Sequence, residues 1–546
     1  MAARRGSMTA LNAIIGKPGK IRIANFRITS QGPGTGNGCQ ALLRHGDRLG
    51  CCGCDVLRGT RQGNILLRKR FVVIRIASPG QFAASGSNHC LSAADGRAPR
   101  TMRRPGETGM AGATKTPAGK SAGSPTIEPS KPRLLGLLGP GLITGASDDD
   151  PSGIATYSQT GAQFGYATSW TLLFSYPLMT AIQIISARLG RTTGRGIAGN
   201  LRKYYPNWLV YSSVSLLLIA NVINIGADVG AMADAVHVLI GGPQIAYVVA
   251  FGTICILMQV FLAYKNYVGV LKWLTLALLA YVATLFVVKV DWLDFARHLV
   301  LPDLSFKADY LTAIVAIFGT TISPYLFFWQ SSQEVEDIKA VPERKPLKAA
   351  PEQADNAGSR ISLDTFVGMA ISNIIALAIT ITAAATLHAN GVTDIQSSAQ
   401  AAEALKPIAG TFAEILFAVG IVGTGLLAVP VLGGSAAYAV GETMRWKTGL
   451  DRKPREARAF YATIALATVI GAGLNLTPIN PIKALYWSAV INGVVAVPIM
   501  AVMMMMSTQP RIMGRETIGL SLRIFGWLAT GVMTLTAIAM IVTSFL

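Results

Sequence analysis

Three consecutive carboxylates stand inside an apolar stretch of this chain. Asp148, Asp149 and Asp150 are followed directly by Pro151, and no Lys or Arg lies within residues 134–165. An intramembrane carboxylate is costly unless it is paired, protonated or in contact with water. A passing cation would neutralise these side chains, and their hard oxygen atoms suit Mg²⁺, Ca²⁺ or Mn²⁺.

A second apolar stretch is interrupted in the same way. It contains the run Thr320-Thr321-Ile322-Ser323-Pro324-Tyr325. Proline lacks a backbone donor and clashes with the preceding turn, so each proline is expected to end or kink its helix. Carbonyl groups freed at bilayer depth are tolerated only when they are buried in protein or line a water-filled cavity. The two breaks together predict an ion site, and the alternative is a pair of ordinary proline kinks.

The elements that must position these breaks are membrane helices. The 546 residues are 51% hydrophobic and 14% charged, whereas soluble domains carry about 25% charged residues. Apolar blocks of about 20 residues match the hydrocarbon core of a bilayer. We predict eleven transmembrane spans, named spans 1 to 11 in chain order, at 134–165, 167–189, 208–236, 243–263, 268–289, 309–336, 361–388, 411–440, 457–474, 482–506 and 519–545.

The interrupted spans 1 and 6 are five spans apart. This spacing is expected if spans 1–5 and 6–10 form an inverted repeat whose broken helices meet at a substrate site. The predicted fold class is therefore all-α integral membrane. The loops carry 21 Lys and Arg on one side and 5 on the other. Positive charge favours the cytoplasmic side, so we predict a cytoplasmic N-terminus and an external C-terminus, in a bacterial inner membrane.

Residues 1–133 form a separate basic segment. Residues 1–135 hold 22 Lys and Arg against 5 Asp and Glu, which is most of the net charge of +20. The segment is rich in Gly, Ser, Arg and Pro, so we predict a disordered extension. The alternative is a translation start at Met102 or Met110. The transporter domain is predicted to span 134–546. Because its own net charge is small, we expect no nucleic-acid partner.

The stretch GPGLITGASDDDPSGIATYSQTGAQFGY, residues 139–166, resembles the first helix of the Nramp family of divalent metal transporters. It has the Gly-Pro-Gly opening, the Asp-Pro turn and the Gly-Ala-Gln-Phe-Gly-Tyr end of that helix. The resemblance covers about residues 134–546. It implies a LeuT-type inverted-repeat fold that works by alternating access.

The resemblance also implies a set of metal ligands. They are the carboxylate of Asp150, the carbonyl groups of Ser147 and Thr320, and the positions Gly153 and Ser323, where the family has asparagine and methionine. Loss of the methionine removes a soft ligand that favours Mn²⁺ or Fe²⁺. A wider, all-oxygen site suits Mg²⁺, which keeps several of its waters. The pattern is similar to that of the Nramp-related magnesium transporters, with Mn²⁺ as a second cargo.

Proton coupling depends on two positions of span 6. The histidines that the family associates with proton movement fall on Tyr325 and Gln330, and neither residue titrates near neutral pH as histidine does. Span 3 offers Asp228, but the expected acidic partner three residues later is Ala231. Transport is therefore expected to be uncoupled from protons. The alternative is a classical proton-coupled Mn²⁺/Fe²⁺ symporter.

Further side chains are predicted to line the pathway: Asp148, Asp149, Tyr325, Gln330, Asn373 and Asn492. For the two aspartates the alternative is a solvated vestibule, and for the two asparagines a cross-link between helices. A cation channel is the alternative from another class, but it would need rings of repeated ligands. The chain has no His-Glu-x-x-His motif and no phosphate loop. We expect a monomeric transporter in the lipid bilayer, with no enzymatic activity and no cofactor besides the transported ion.

Overall fold

The structure is a computed structural model that describes residues 144–145, 147–261 and 276–545, together with eight short strands between Ala13 and Ser85. The chain divides into two units, Met1–Gly123 and Ser124–Leu546.

The first unit contains antiparallel strands. They are β1 (Ala13–Lys17) paired with β2 (Lys20–Ala24), β3 (Phe26–Ile28) paired with β4 (Ala41–Leu43), and a sheet in chain order of β5 (Val56–Leu57), β6 (Ile65–Leu67), β7 (Val73–Ser78) and β8 (Gln81–Ser85). β-Branched residues such as Val73, Ile74 and Ile76 favour extended pairing. The rest of 1–133 lies outside the described residues, and the expectation of a disordered extension over 1–133 stays a prediction.

The described residues of the second unit are helices and their connections. The α-helices are α1 (Pro151–Phe164), α2 (Ser169–Thr193), α3 (Ile197–Tyr204), α4 (Asn207–Ile240), α5 (Gln244–Phe261), α6 (Leu279–Thr284), α7 (Trp292–Val300), α8 (Ala308–Thr321), α9 (Pro324–Ala340), α10 (Ala354–Thr386), α11 (Ser398–Ala402), α12 (Lys406–Ala409), α13 (Ala413–Met444), α14 (Arg458–Gly473), α15 (Pro481–Ser507), α16 (Pro510–Met513) and α17 (Leu520–Phe545).

Nine helical segments within the described ranges are long and apolar enough to cross a membrane. They correspond to spans 2, 3, 4 and 6 to 11, so the prediction of an all-α membrane protein is confirmed. Spans 1 and 5 run into residues outside the described ranges. The described part of span 1 is α1 together with the helical residues 144–145 and 147–148. The described part of span 5 is the 3₁₀ turn Leu276–Leu278 followed by α6.

Both predicted breaks are present. Asp150 is extended, with φ −69° and ψ 170°, and α1 begins at the next residue. Ser323 is likewise extended, with φ −79° and ψ 133°, between the end of α8 and the start of α9. Pro151 and Pro324 each occupy the first position of a helix, where a missing N–H is tolerated. The prolines therefore start new helices after a break, which agrees with the prediction that each would end its preceding helix.

Small residues bring the broken helices close to their neighbours. A Cβ built on Gly319 of α8 would lie 1.9 Å from the carbonyl oxygen of Ala489 in α15. One built on Gly161 of α1 would lie 2.4 Å from the carbonyl oxygen of Thr380 in α10. Close backbone approach at small residues is typical of membrane helices. These contacts position the two breaks within the bundle.

Candidate metal site at the two interrupted helices

Asp150 is the N-cap of α1. Its Oδ1 accepts hydrogen bonds from the backbone N–H of Gly153 at 2.8 Å and from the Ser152 hydroxyl at 2.6 Å. The first N–H groups of a helix have no partner within the helix, and an acidic N-cap satisfies them and is stabilised by the helix dipole. The carboxylate is 2% exposed. One carboxylate oxygen of Asp150 thus accepts hydrogen bonds from the first turn of α1, and the other faces neighbouring helices.

The second oxygen of Asp150 is reached from two other helices. Asn224 of α4 donates its amide to Asp150 Oδ2 at 3.0 Å. The hydroxyl oxygen of Tyr325, in α9, lies 3.3 Å from the same Oδ2 and 2.9 Å from the carbonyl oxygen of Ser147. A hydroxyl has one proton, so Tyr325 donates to one of these oxygens at a time. The carboxylate of Asp150, the carbonyl group of Ser147 and the Tyr325 hydroxyl therefore converge.

The second break contributes oxygen atoms of its own. The Ser323 hydroxyl lies 2.6 Å from the carbonyl oxygen of Gly319 and 2.7 Å from that of Thr320. A carbonyl oxygen has two lone pairs, so that of Thr320 keeps one for another partner. The Thr320 hydroxyl lies 2.9 Å from the Tyr157 hydroxyl of α1. Contacts of Tyr157 with Thr320 and of Tyr325 with Ser147 thus join the two breaks.

Gly153 packs closely beside the carboxylate of Asp150. A Cβ built on this glycine would lie 3.3 Å from the Asp148 carbonyl oxygen and 3.6 Å from Asp150 Oδ1. The Cβ of any other residue type at position 153 would therefore face Asp150. At this position the chain supplies a backbone N–H and no side-chain ligand.

Asp148 and Asp149 form a carboxylate pair beside Asp150. The Ser372 hydroxyl of α10 lies 2.6 Å from Asp148 Oδ2 and 3.2 Å from Asp149 Oδ1. Both aspartates are at most 2% exposed, and their role in the pathway stays a prediction. Within the described ranges, no ion pair involves any of the three aspartates.

The other predicted pathway residues lie apart from Asp150 in the hydrogen-bond network. Gln330 accepts a hydrogen bond from Thr144. Asn373 and Asn492 are buried, and no hydrogen bond among the described residues joins either of them to Asp150. A role for these three residues in the pathway stays a prediction.

Asn224 is a site residue that the sequence reasoning missed. It lies between Asn221 and Asp228 on α4, and all three side chains are fully buried. Spacings of three and four residues place them along one face of a helix. This polar stripe within an otherwise apolar span is the sequence pattern from which Asn224 could have been predicted. Both carboxylate oxygens of Asp228 are without a hydrogen-bond partner in the described part of the chain.

The end of α9 is held by a cluster of ion pairs. Arg360 of α10 lies 2.5 Å from Glu334 and 3.6 Å from Asp337, which also pairs with Arg344. The Glu334 side chain is 1% exposed. The helix that carries Tyr325 is therefore tied at its far end to the start of span 7.

No cluster of three or more His, Cys, Asp or Glu side chains that could hold a metal occurs within the described ranges. An ion at Asp150 would therefore rely on one or two carboxylates together with carbonyl, hydroxyl and amide oxygens. Such a donor set fits hard divalent cations. The assignment of Ser147, Asp150, Gly153, Thr320 and Ser323 as ligands stays a prediction.

Comparison with known proteins identifies relatives of the chain. Residues 141–543 match the family model Nramp, described as natural resistance-associated macrophage protein-like. The divalent metal cation transporter MntH of Yersinia enterocolitica is 29% identical over 296 residues, covering 54% of this chain and 69% of that protein. MntH of Acidiphilium cryptum is 26% identical over 390 residues, covering 69% of this chain and 83% of that protein.

A solved structure shares the fold. It is the manganese transporter of Eremococcus coleocola in complex with an aromatic bis-isothiourea substituted compound, with a TM-score of 0.57 and 17% sequence identity. The match covers 73% of this chain and 84% of that chain. Together with the breaks in spans 1 and 6, this likeness agrees with the predicted LeuT-type arrangement.

Proposed function

This chain belongs to the Nramp family, and we propose that it carries divalent metal cations by alternating access, with Mg²⁺ as the main cargo and Mn²⁺ as a second one. We further propose that it works as a monomer in a bacterial inner membrane, with its N-terminus in the cytoplasm. Transport is driven by the ion gradient and the membrane potential. Its relatives from Yersinia enterocolitica and Acidiphilium cryptum are named divalent metal cation transporters, which supports the cargo class.

The observation that carries the proposal is the convergence of oxygen atoms at the two breaks. Tyr325 contacts both Ser147 and Asp150, so the start of α9 meets the break before α1. Asp150 has no cationic side chain as a partner among the described ion pairs. A buried carboxylate at such a place is stabilised by a passing cation.

The preference for Mg²⁺ follows from the chemistry of the predicted ligands. Ser323 presents a hydroxyl at a position where a thioether would favour softer ions, and Gly153 presents no side chain. Mg²⁺ gives up its water reluctantly and is commonly bound through one or two carboxylates with waters retained. A site with one central carboxylate and small residues at positions 153 and 323 is expected to suit an ion that retains waters.

The absence of proton coupling rests on Tyr325 and Gln330. The Tyr325 hydroxyl is engaged with Ser147 and Asp150, and Gln330 with Thr144. An amide has no titration near neutral pH, and an ordinary tyrosine titrates near pH 10. These two positions therefore provide no proton carrier of the histidine type.

A proton-coupled Mn²⁺/Fe²⁺ symporter is the second candidate. Asp228 favours it, because this fully buried carboxylate has no hydrogen-bond partner among the described residues. It lies four residues after Asn224, which contacts Asp150. A proton bound there would be close to the ion site.

Uptake into proteoliposomes tests the proposal. Purified protein is reconstituted, an inside-negative potential is applied, and the entry of Mg²⁺, Mn²⁺ and Ca²⁺ is recorded together with the internal pH. We expect saturable uptake of Mg²⁺ and of Mn²⁺ without internal acidification. Uptake of Mn²⁺ with protons, while Mg²⁺ is ignored, would establish the second candidate. Uptake that rises linearly with concentration would point to a channel.

A further inference from the structure

A buried amide outside the predicted ligand set contacts the carboxylate of Asp150. Asn224 lies in the middle of α4, is fully buried and donates its Nδ2 to Asp150 Oδ2 at 3.0 Å. The other oxygen of Asp150 is taken by Ser152 and by the Gly153 backbone. Oδ1 is therefore held by α1 itself, whereas Oδ2 is contacted by Asn224 and Tyr325 from other helices.

The oxygen atom of the same amide accepts no hydrogen bond from the described residues. Asn224 Oδ1 is buried and has no hydrogen-bond partner within the described ranges. A buried polar atom without a partner destabilises the folded state, so such an atom needs an explanation. Rotation of the amide about its last side-chain bond exchanges the positions of Nδ2 and Oδ1. The rotated amide would direct an oxygen, instead of a donor, at the space beside Asp150 Oδ2.

We propose that Asn224 determines ion specificity at Asp150. Its amide donates to Oδ2 when no cation is bound there and rotates to offer Oδ1 as a ligand when a cation binds. This inference rests on the proposed function, since it assigns a further ligand to the same ion site. Amide oxygen is a hard ligand, so the exchange favours Mg²⁺ and Mn²⁺ over softer ions.

Gly153 contributes no side-chain ligand beside Asp150. The face of Gly153 that points toward Asp150 carries no side chain, so α1 itself cannot provide an amide there. Asn224 provides one from α4, on the other oxygen of the same carboxylate. Three helices, α1, α4 and α9, thereby surround Asp150.

Asn221 is a matched control on the same helix. It lies three residues earlier, is equally buried, and donates its amide to the Leu432 carbonyl oxygen at 2.9 Å and to the Ser435 hydroxyl at 2.7 Å. Both partners belong to α13. Replacing Asn221 by leucine therefore removes a buried amide of the same type without touching Asp150.

The test measures KM and kcat for Mg²⁺ and Mn²⁺ uptake in proteoliposomes of the full chain. Asn224→Leu, which removes both donor and acceptor, is expected to raise KM for both ions at least about tenfold, equivalent to about 1.4 kcal/mol. Asn224→Asp keeps the oxygens and the shape, so its KM is expected to stay at or below the wild-type value. Asn221→Leu is expected to leave KM unchanged.

Several results would overturn the inference. They are an unchanged KM in Asn224→Leu, an equal rise in Asn221→Leu, or a KM in Asn224→Asp above the wild-type value. If Asn224→Leu does not fold, the isosteric Asn224→Asp decides the question alone. If the wild-type protein takes up Mn²⁺ but no Mg²⁺, the proposed cargo is wrong, and the same comparison of variants with Mn²⁺ still tests Asn224.

Discussion

The hydroxyl of Tyr325 lies 3.3 Å from Asp150 Oδ2, although the two residues belong to different interrupted helices. The same hydroxyl reaches the Ser147 carbonyl oxygen. One side chain thus bridges a carboxylate and a freed carbonyl group of the first break. Movement of α9 relative to α1 would change all of these contacts together, which is how an alternating-access site could be coupled to helix motion.

Asp150→Asn is expected to reduce divalent cation uptake strongly. The substitution keeps the shape and a cap for α1, but it removes the negative charge that attracts the ion. Uptake of Mg²⁺ into proteoliposomes should fall by at least about tenfold at a subsaturating concentration, equivalent to about 1.4 kcal/mol.

Asp234→Asn is the control for this experiment. Asp234 also lies on a membrane helix, but it accepts its hydrogen bonds from Ser398 and not from the site. The control should transport like the wild-type protein. Unchanged flux in Asp150→Asn would refute the assignment of the site.

Ser323→Met is expected to shift the ion preference toward Mn²⁺. The thioether adds a soft ligand at the second break, and Mn²⁺ tolerates it better than Mg²⁺ does. The ratio of kcat/KM for Mn²⁺ to that for Mg²⁺ should rise about tenfold. Ser323→Ala, which removes the hydroxyl without adding sulfur, should leave this ratio near the wild-type value. An equal shift in both variants would show that sulfur is not the cause.

Arg360→Gln is expected to destabilise the protein strongly. It leaves Glu334 as a buried charge without its nearest partner, and breaking a buried pair is destabilising by about 3–5 kcal/mol. Thermal unfolding in detergent should show a clearly lower midpoint. The double variant Glu334→Gln/Arg360→Gln should recover part of the loss, because neither side chain is then charged.

Arg344→Gln is the matched control for the ion pair. Arg344 pairs with Asp337, and both side chains are more exposed than Glu334. Exposed pairs contribute about 0–1 kcal/mol, so the midpoint should change little. A loss as large as that in Arg360→Gln would contradict the special role of the buried pair.

Gly319→Ala is expected to disrupt the contact between α8 and α15. The added Cβ would lie 1.9 Å from the Ala489 carbonyl oxygen, and backbone must move to admit it. Overpacking of this kind is destabilising by about 1–3 kcal/mol. Both the unfolding midpoint and the uptake rate should fall.

Gly531→Ala, in α17, serves for comparison. No atom lies within 4 Å of a Cβ built there, and alanine is a better helix former than glycine by about 1 kcal/mol. This variant should be as stable as the wild-type protein or more so. Equal losses in both variants would show that helix propensity, and not the close contact, governs the result.

The membrane helices and their two breaks could be predicted from the sequence because their causes are local. A run of apolar residues is long enough to span a bilayer whatever surrounds it, and proline starts or ends a helix through its own ring. The same reasoning placed Asp150 at the first break, and the family resemblance placed Ser323 at the second. It did not predict the strands near residues 13–85, where short β-branched segments pair within a stretch of otherwise irregular composition.

The partners of Asp150 were decided by the tertiary structure. Asn224 is 74 residues away along the chain and Tyr325 is 175 residues away, so no local pattern relates them to the carboxylate. Equally, the sequence gives no reason why Ser372 should contact Asp148 and Asp149 while Asn373, the next residue, does not. A helix turns by about 100° per residue, and only the packing of α10 against the first break decides which of two neighbouring side chains points at it.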